Sequence, residues 1–324
     1  MTTASRNGVL RIGTRGSALA VAQTTVVANA IAKASGLDVE LVTVTTKGDT
    51  SRESLASLGG TGVFASALRD SLLAGECDLI VHSLKDLPTG SHPGLVIGAV
   101  PKRADARDAL CAIDGLTLET LEQGARVGTG SPRRVAQLLS RRPDLEVVDL
   151  RGNVDTRLSR VSDGDLDAVV LAAAGLERLG RTAEITEYFS LSDMPTAPGQ
   201  GALAIEVRQG DERGSGSLAK ALAAIDHVTT HASVAAERDV LAGLEAGCAA
   251  PIGAHALIDD GLLFLTATVY RPDGTQKLTS SHAATPDAMT SRDLDVAARD
   301  VAQRVVAELL DAGAADLAPL GSGR

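Results

Sequence analysis

The sequence predicts an α/β protein with two similar lobes and a smaller α+β domain at its C-terminal end. Short apolar strands alternate with helical segments along most of the chain, a pattern typical of a mainly parallel sheet. The start of this pattern occurs twice, because Gly16-Ser17 and Gly130-Ser131 are each followed, at the same offset, by Val-Ala-Gln. The length of 324 residues fits about two or three domains.

The first lobe is predicted to begin with a strand, a glycine-containing turn and a helix. Its elements are a strand at 9–12, a turn at 13–17, a helix at 18–34, a strand at 39–46, a helix at 64–73 and a strand at 78–81. The last of these strands is short and apolar, as expected of a buried strand. A further strand at 202–207 is expected to return the chain to this lobe.

The second lobe repeats this order. Its predicted elements are a strand at 126–127, a helix from Pro132 to Leu139 and strands at 146–150 and 167–171. Pro132 suits the first turn of a helix, because the N–H that it lacks has no helical partner there. Two stretches rich in proline or charge, Val100–Asp108 and Met194–Gln200, are expected to connect the lobes. Two such crossings predict a hinged cleft.

The remaining chain is expected to form the C-terminal domain. Its predicted elements are a helix around 232–244, strands near 262–270 and a final helix at 294–312. We therefore expect the first lobe to comprise residues 1–103 with 202–220, the second lobe residues 104–201, and the C-terminal domain residues 221–324.

The composition argues against several classes of protein. Aromatic residues make up 2% of the chain and tryptophan is absent, too few for a base-stacking or sugar-stacking surface. The net charge of −10 argues against nucleic acid and anionic membranes as partners. No apolar run approaches the roughly 20 residues of a membrane span, and residues 1–8 lack the apolar centre of a signal peptide. A cytoplasmic protein is expected.

Metal and disulfide sites are not expected either. The three cysteines are widely spaced and form no CxxC pair. His227 and His231 are four residues apart, but no carboxylate at ligand spacing completes a metal site.

Arginines follow the predicted strands and turns of both lobes. In open α/β sheets, ligands bind at the carboxyl ends of strands, and guanidinium groups pair with carboxylates or phosphates. Ser17 and Ser131 add hydroxyl groups in front of helix N-termini. We therefore predict a site for an organic polyanion, although surface arginines that merely balance the acidic chain are the alternative. The arginines concerned are Arg11, Arg15, Arg133, Arg134, Arg151, Arg157 and Arg178.

Two further residues could carry chemistry. Asp86 follows Lys85 at the end of the apolar strand, where a carboxylate could transfer a proton or stabilise a cation. It could equally be a turn residue before Pro88. Cys248 lies between Gly247 and a nearby proline in a predicted loop, which suits a nucleophile or an attachment point. A small buried apolar residue is the alternative for Cys248.

Seven segments, in order from about residue 9 to 253, resemble the porphobilinogen deaminase (hydroxymethylbilane synthase) family. They are Ile12-Gly13-Thr14-Arg15-Gly16-Ser17-Ala18-Leu19-Ala20, His82-Ser83-Leu84-Lys85-Asp86-Leu87-Pro88, Gly128-Thr129-Gly130-Ser131-Pro132-Arg133-Arg134, Arg151-Gly152-Asn153-Val154-Asp155-Thr156-Arg157-Leu158, Ala174-Gly175-Leu176-Glu177-Arg178-Leu179-Gly180, Pro198-Gly199-Gln200-Gly201-Ala202-Leu203 and Gly247-Cys248.

The resemblance implies a transferase of tetrapyrrole, and hence heme, biosynthesis. Such an enzyme joins four porphobilinogen molecules head to tail on a bound dipyrromethane primer, expels ammonia at each addition, and releases hydroxymethylbilane. It also implies two lobes of the periplasmic-binding-protein-like type, a smaller third domain and a monomeric protein.

The resemblance also assigns roles to residues. It implies that a thioether at Cys248 carries the dipyrromethane and that Asp86 is catalytic. The implied cofactor-binding residues are Cys248, Lys85, Asp86, Ser131, Arg133 and Arg134. The implied substrate-binding residues are Arg15, Ser17, Arg151, Arg157 and Arg178.

These roles fit the chemistry of the residues. Each pyrrole unit bears an acetate and a propionate, so the growing chain gains carboxylates that arginines can bind. Loss of ammonia leaves an electrophilic azafulvene cation, which Asp86 could stabilise after protonating the amine.

The chain departs from the family at several positions. Leu84 and Leu87 stand where Met and Val are common, a neutral change. A lysine is common in the loop before Phe64, and a Lys-Glu pair is common in the following helix, but this chain has Thr61 and Ala65-Ser66-Ala67. These differences put in doubt a role for that loop in covering the cleft.

Two other functions remain open on the residues alone. A non-catalytic bilobal solute-binding protein would bind a dicarboxylate or another oxyanion and would need neither Cys248 nor a third domain. A ligand-sensing regulator would need a DNA-binding helix-turn-helix, and none is evident before Val9.

Overall fold

The computed structural model describes residues 9–45, 62–246 and 250–320, with the side chains of residues 62–64 left out. Contacts between residues divide the chain into two compact units. The first comprises Met1–Ala104 and Ala202–His231, and the second comprises Asp105–Gly201 and Ala232–Arg324. The chain therefore passes between the units after Ala104, Gly201 and His231.

The first unit contains a five-stranded sheet. Its strands are β1 (Val9–Arg15), β2 (Asp38–Val44), β3 (Leu79–Ser83), β4 (Leu95–Ala99) and β10 (Leu203–Arg208). Their order in the sheet is β2-β1-β3-β10-β4. Strand β1 pairs in parallel with β2 and β3, whereas β10 is antiparallel to both of its neighbours, β3 and β4, so four strands share one direction. The helices are Ala18–Ser35, Gly62–Leu73 and Ser217–Ile225.

The helix Ala18–Ser35 has recognisable sequence signals at both ends. Ser17 is its N-cap, and Gly36 ends it in the left-handed conformation with φ of 69°. Its buried residues Val27 and Ile31 pack against Leu10, Ile12 and their neighbours in the sheet core. This packing fixes the carboxyl end of β1 next to the start of the helix.

The second unit contains a sheet with the same plan. Its strands are β5 (Asp108–Ala112), β6 (Arg126–Gly128), β7 (Glu146–Val148), β8 (Ala168–Ala172) and β9 (Glu187–Tyr188). Their order in the sheet is β7-β6-β8-β5-β9. Strand β6 is parallel to β7 and β8, and β5 is antiparallel to β8 and β9, so the antiparallel strand lies fourth in the order, as in the first unit. The helices are Pro132–Arg141, Val154–Ser162 and Ala173–Arg178.

A smaller α+β domain completes the second unit. Its strands are β11 (Ile252–Asp259), β12 (Leu262–Tyr270) and β13 (Lys277–Ala284), and its helices are Val228–Gly243, which begins in the first unit, Ser291–Asp311 and Ala314–Leu317. The antiparallel sheet has the order β11-β12-β13, and the core is built largely from Ala, Val and Leu. Gly253 and Gly274 lie against Pro195 and the helix Pro132–Arg141, where a Cβ atom would come within 2.4 and 2.6 Å of backbone oxygens.

The fold class predicted from the sequence is confirmed, including the two lobes and the smaller α+β domain. Several elements differ in detail. Strand β1 extends to Arg15 instead of ending at Ile12, and β4, β5, β9, β11 and β13 were not predicted. The helix Val154–Ser162 was not predicted either. The three-domain boundaries remain a prediction.

None of the helices in the described part of the chain is long and apolar enough to cross a bilayer.

Candidate active site

Strand β3 ends in a tight turn that carries Lys85 and Asp86. The turn Leu84–Asp86 is a short 3₁₀ helix, closed by a bond from the Leu87 amide to the Leu84 carbonyl at 3.1 Å. The Leu84 amide donates to the Ala202 carbonyl at 3.1 Å. Leu84 and Leu87 are buried, whereas Lys85 is half-buried and Asp86 is exposed. The leucines therefore anchor the turn while the Asp86 carboxylate faces solvent.

Strand β1 ends at Arg15, beside the N-terminus of the helix Ala18–Ser35. Arg15 is the last strand residue and is half-buried, so it does not lie on the predicted glycine turn. The Ser17 hydroxyl oxygen accepts a hydrogen bond from the Ala20 amide at 3.3 Å. The hydroxyl oxygen therefore caps its own helix, while the hydroxyl proton can still be donated in a hydrogen bond to a ligand.

A buried ionic network lies beside the Lys85–Asp86 turn. Arg69 donates to both carboxylate oxygens of Glu206, at 2.9 and 2.7 Å, and the His82 Nε2 lies 3.0 Å from Glu206 Oε2. Burial would raise the pKa of Glu206, but the bonds from His82 and Arg69 outweigh it and lower the pKa to about 2. Sequence reasoning missed Arg69 and Glu206. A glutamate within the apolar run 203–207 of strand β10 was the available signal.

Arg133 and Arg134 occupy the first turn of the helix Pro132–Arg141, as predicted, but both are buried in a network around Asp108. Arg133 Nη1 lies 2.8 Å from Asp108 Oδ2, and Arg134 Nη2 lies 2.6 Å from Asp108 Oδ1. Arg134 also donates to the Val170 carbonyl, and the Gln200 amide donates to Asp108 Oδ1 at 2.8 Å. Much of the donor capacity of both arginines is therefore directed at the protein.

Asp108 is fully buried at the start of β5. Burial would raise its pKa, but the two guanidinium groups outweigh this and hold the pKa well below its usual range. The Gln200 amide also donates to the Ala106 carbonyl at 2.8 Å. The network thus joins the two segments through which the chain enters and leaves the 105–201 region.

The residues that precede Ser131 and Arg151, Gly130 and Leu150, approach each other closely. Gly130 lies so near Leu150 that a Cβ atom on it would come within 2.6 Å of the Leu150 carbonyl oxygen. Ser131, which follows, caps its helix by accepting from the Arg134 amide at 3.5 Å. Arg151 is exposed and lies 3.3 Å from Asp149, which is also exposed.

Of the three remaining predicted arginines, Arg157 and Arg178 lie in helices, whereas Arg11 lies within β1 and pairs with Asp78, its Nη2 3.0 Å from Asp78 Oδ1. Arg157 belongs to the helix Val154–Ser162, and its Nε donates to the Gly152 carbonyl at 2.9 Å. Arg178 is the last residue of the helix Ala173–Arg178, and its Nη2 donates to the Gly201 carbonyl at 2.7 Å. Burial lowers the pKa of Arg178.

The predicted site residues are therefore divided between the units. Arg15, Ser17, Lys85 and Asp86 belong to the first unit, and Ser131, Arg133, Arg134, Arg151, Arg157 and Arg178 belong to the second. Cys248 and Thr61 lie outside the described residues.

The other two cysteines, Cys77 and Cys111, are buried. Burial raises the pKa of Cys77, and it raises the pKa of Cys111 to about 12. Neither thiol is therefore suited to nucleophilic attachment chemistry at neutral pH.

His227 and His231 have local partners. His231 Nδ1 lies 2.9 Å from Asp226 Oδ1, and His227 Nδ1 lies 2.9 Å from the Thr230 hydroxyl. In residues 9–45, 62–246 and 250–320, no group of three or more His, Cys, Asp or Glu side chains is arranged to hold a metal ion.

Comparison with known proteins decides the family. The family model "Porphobilinogen deaminase, dipyromethane cofactor binding domain" matches residues 10–215, and "Porphobilinogen deaminase, C-terminal domain" matches residues 231–311. The chain belongs to the porphobilinogen deaminase family. A porphobilinogen deaminase of Leifsonia xyli subsp. xyli is 74% identical over 315 residues, which cover 97% of this chain and 96% of that protein. That of Cutibacterium acnes is 53% identical over 327 residues, covering 96% and 97%.

A periplasmic substrate-binding protein of an ABC transporter from Coxiella burnetii aligns with 67% of this chain and 91% of its own, at 16% identity and a TM-score of 0.43.

Proposed function

We propose that this porphobilinogen deaminase family member joins four porphobilinogen molecules head to tail, with loss of ammonia, and releases hydroxymethylbilane. The observation that carries the proposal is the exposed Asp86, held on a turn anchored by buried leucines, in a chain that matches the family models over residues 10–215 and 231–311. A cytoplasmic, monomeric enzyme is part of the proposal.

Asp86 is the proposed proton-transfer group and cation stabiliser. In its acid form it gives a proton to the aminomethyl nitrogen of porphobilinogen, and the C–N bond breaks with its electron pair leaving on ammonia. The remaining azafulvene carries a positive charge, which the resulting carboxylate faces and stabilises. When the new C–C bond has formed, the carboxylate accepts the proton that the attacked pyrrole carbon loses.

The arginines are proposed to bind the acetate and propionate groups. Arg15, in the first unit, and Arg151, Arg157 and Arg178, in the second, are the assigned substrate-binding residues, with Ser17 adding a hydroxyl donor. Guanidinium groups keep their charge at all working pH values and bind carboxylates through paired hydrogen bonds.

The residues proposed to hold the dipyrromethane are Cys248, through a thioether, and Lys85, Asp86, Ser131, Arg133 and Arg134. Their donor set fits a group with several carboxylates, and Arg133 Nε is buried with no hydrogen-bond partner among the described residues. When bound, the dipyrromethane supplies the pyrrole carbon to which the first substrate is joined. The role of the arginines is to fix its carboxylates.

The intact mass of the purified protein tests the attachment. Protein from cells that make porphobilinogen is expected to carry a covalent adduct of two pyrrole units, and Cys248→Ala is expected to have the unmodified mass. Cys77→Ala and Cys111→Ala are matched controls that should keep the adduct, because both thiols are buried and their pKa values are raised. An adduct that survives in Cys248→Ala would contradict the assignment.

Replacing Arg151 by Leu is expected to slow elongation strongly. The exposed guanidinium provides a positive charge for a substrate carboxylate. Leucine has no charge, so that carboxylate would lose its partner. The expected loss of kcat/KM for tetrapyrrole formation is about tenfold to a hundredfold, as for one charge-assisted contact. Arg160→Leu is the control. Arg160 lies on the same helix as Arg157, pairs with Asp165, and has no assigned role in binding. A normal tetrapyrrole yield from Arg151→Leu would contradict the assignment.

A further inference from the structure

Strand β3 has a charged network at each of its ends. At the amino end, the Asp78 carboxylate accepts from the Arg11 amide at 2.9 Å and lies 3.0 Å from Arg11 Nη2 and 3.8 Å from Arg208 Nη2. Near the carboxyl end, His82 binds Glu206, which lies opposite Ile80 on β10 and also binds Arg69. Along the chain, His82 lies nearer than Asp78 to the turn that carries Asp86.

The network at the carboxyl end joins three elements. Arg69 comes from the helix Gly62–Leu73, His82 from β3 and Glu206 from β10, and all three side chains are less than a tenth exposed. Glu206 Oε2 accepts from Arg69 Nε at 2.9 Å and lies 3.0 Å from His82 Nε2, so one oxygen has two partners. The geometry of the strand end is therefore fixed by directional bonds as well as by packing.

The same strand, β10, also holds the backbone of the turn. Ser83 pairs with Leu203, and the Leu84 amide donates to the Ala202 carbonyl at 3.1 Å. Two residues separate His82 from Lys85 and three separate it from Asp86. Any displacement of His82 relative to β10 would therefore also displace the Lys85–Asp86 turn.

Charged groups are a costly way to fill a buried position. Apolar side chains of similar volume commonly stabilise a core at least as well as a buried ion pair, and in some proteins what the buried ion pair adds is a defined geometry. A network with this cost, next to the turn that carries Asp86, suits a geometric role.

We propose that Glu206, together with Arg69 and His82, is a positioning network that sets the orientation of the Lys85–Asp86 turn for the reaction. The proposal rests on the proposed function of Asp86. Neither Glu206 nor Arg69 is assigned a contact with the substrate.

The test compares two carboxylate-to-amide variants on either side of β3. Glu206→Gln is expected to lower kcat by about tenfold to a hundredfold, as for a small misplacement of a catalytic group, with KM within about twofold of wild type. Asp78→Asn, the matched control, is expected to lower the urea midpoint but to keep kcat within about twofold.

Hydrogen exchange provides a readout that does not depend on activity. The exchange rate of the Leu84 amide, divided by that of Val81 in the same strand, is expected to rise in Glu206→Gln and to stay at the wild-type value in Asp78→Asn. The double variant Arg69→Met/Glu206→Gln removes both charges and avoids an unpaired buried arginine. It is expected to recover stability while kcat stays low and the exchange ratio stays high.

The proposal is overturned if Glu206→Gln and the double variant keep the wild-type kcat and exchange ratio, because the network would then serve stability alone. A wild-type protein that does not consume porphobilinogen would refute the proposed function, and the exchange ratio would still decide whether the network orients the turn.

Discussion

Replacing Asp86 by Asn is expected to leave the fold intact and to lower kcat for porphobilinogen consumption by about a hundredfold to ten-thousandfold. The side chain is exposed, and the turn is held by the buried Leu84 and Leu87, so the substitution removes little that stabilises the protein. The amide can neither transfer the proton nor neutralise the cation. The measurement is the rate of ammonia release at saturating porphobilinogen, with circular dichroism to check the fold.

Asp70→Asn is the control for this experiment. Asp70 is also exposed and belongs to the first unit, on the helix Gly62–Leu73, so the change in net charge is the same. It should keep the wild-type rate. Turnover at the wild-type rate in Asp86→Asn would remove Asp86 from the mechanism.

Replacing Asp108 by Asn is expected to destabilise the second unit by about 3–5 kcal/mol, because two buried arginines lose their counterion. Asp108 is fully buried and lies within 2.8 Å of both guanidinium groups. The free energy of unfolding in urea measures the effect. Asp165→Asn, at an exposed pair with Arg160, should barely change the urea midpoint. Equal midpoints in the two variants would contradict the assigned importance of the network.

The pH dependence of stability provides a second test of the Asp108 network. The pKa of Asp108 is lower in the folded chain than in the unfolded chain, so the unfolded chain binds the proton first. The contribution of Asp108 is complete above the unfolded-state pKa of about 3.9 and falls as the pH decreases below it. The acid limb of the stability curve is expected to be shallower in Asp108→Asn than in wild type.

Glycine explains one difference between the predicted and the observed elements. Gly13 suggests a turn after Ile12, but it continues β1, and a Cβ atom on it would come within 2.7 Å of the Ile80 side chain. A glycine in a strand can mark a close approach as well as a turn, and the neighbouring element cannot be read from local sequence. The helix Val154–Ser162 did have a local signal, because Asn153 caps it by accepting from the Thr156 amide.

The strand β5 and the burial of Asp108 could not be predicted from the local sequence. Asp108 begins it, and a charged residue in a charged stretch suggests a connection rather than a buried strand. Its partners Arg133, Arg134 and Gln200 lie 25, 26 and 92 residues away in sequence. Burial of the carboxylate depends on these distant groups, so composition and spacing near Asp108 could not reveal it.

Around the proposed site, some residues could be placed from local sequence and others could not. The position of Asp86 at the end of a buried strand follows from the sequence, because a short apolar run followed by a polar turn is a local pattern. The network of Arg69, His82 and Glu206 is not local, since Glu206 lies 137 residues from Arg69 and 124 from His82. Whether arginines are exposed or buried also depends on tertiary packing, as the contrast between Arg151 and Arg134 shows.

The intact mass of the protein during turnover is the most direct test of the central claim, that the polyanion is a pyrrole chain built on the protein. Wild-type protein mixed with porphobilinogen and quenched is expected to show the two-pyrrole adduct and further species, each heavier by one porphobilinogen less ammonia, up to four additions. Cys248→Ala should show none of these masses. A protein that forms tetrapyrrole while its own mass stays unmodified throughout would contradict the account.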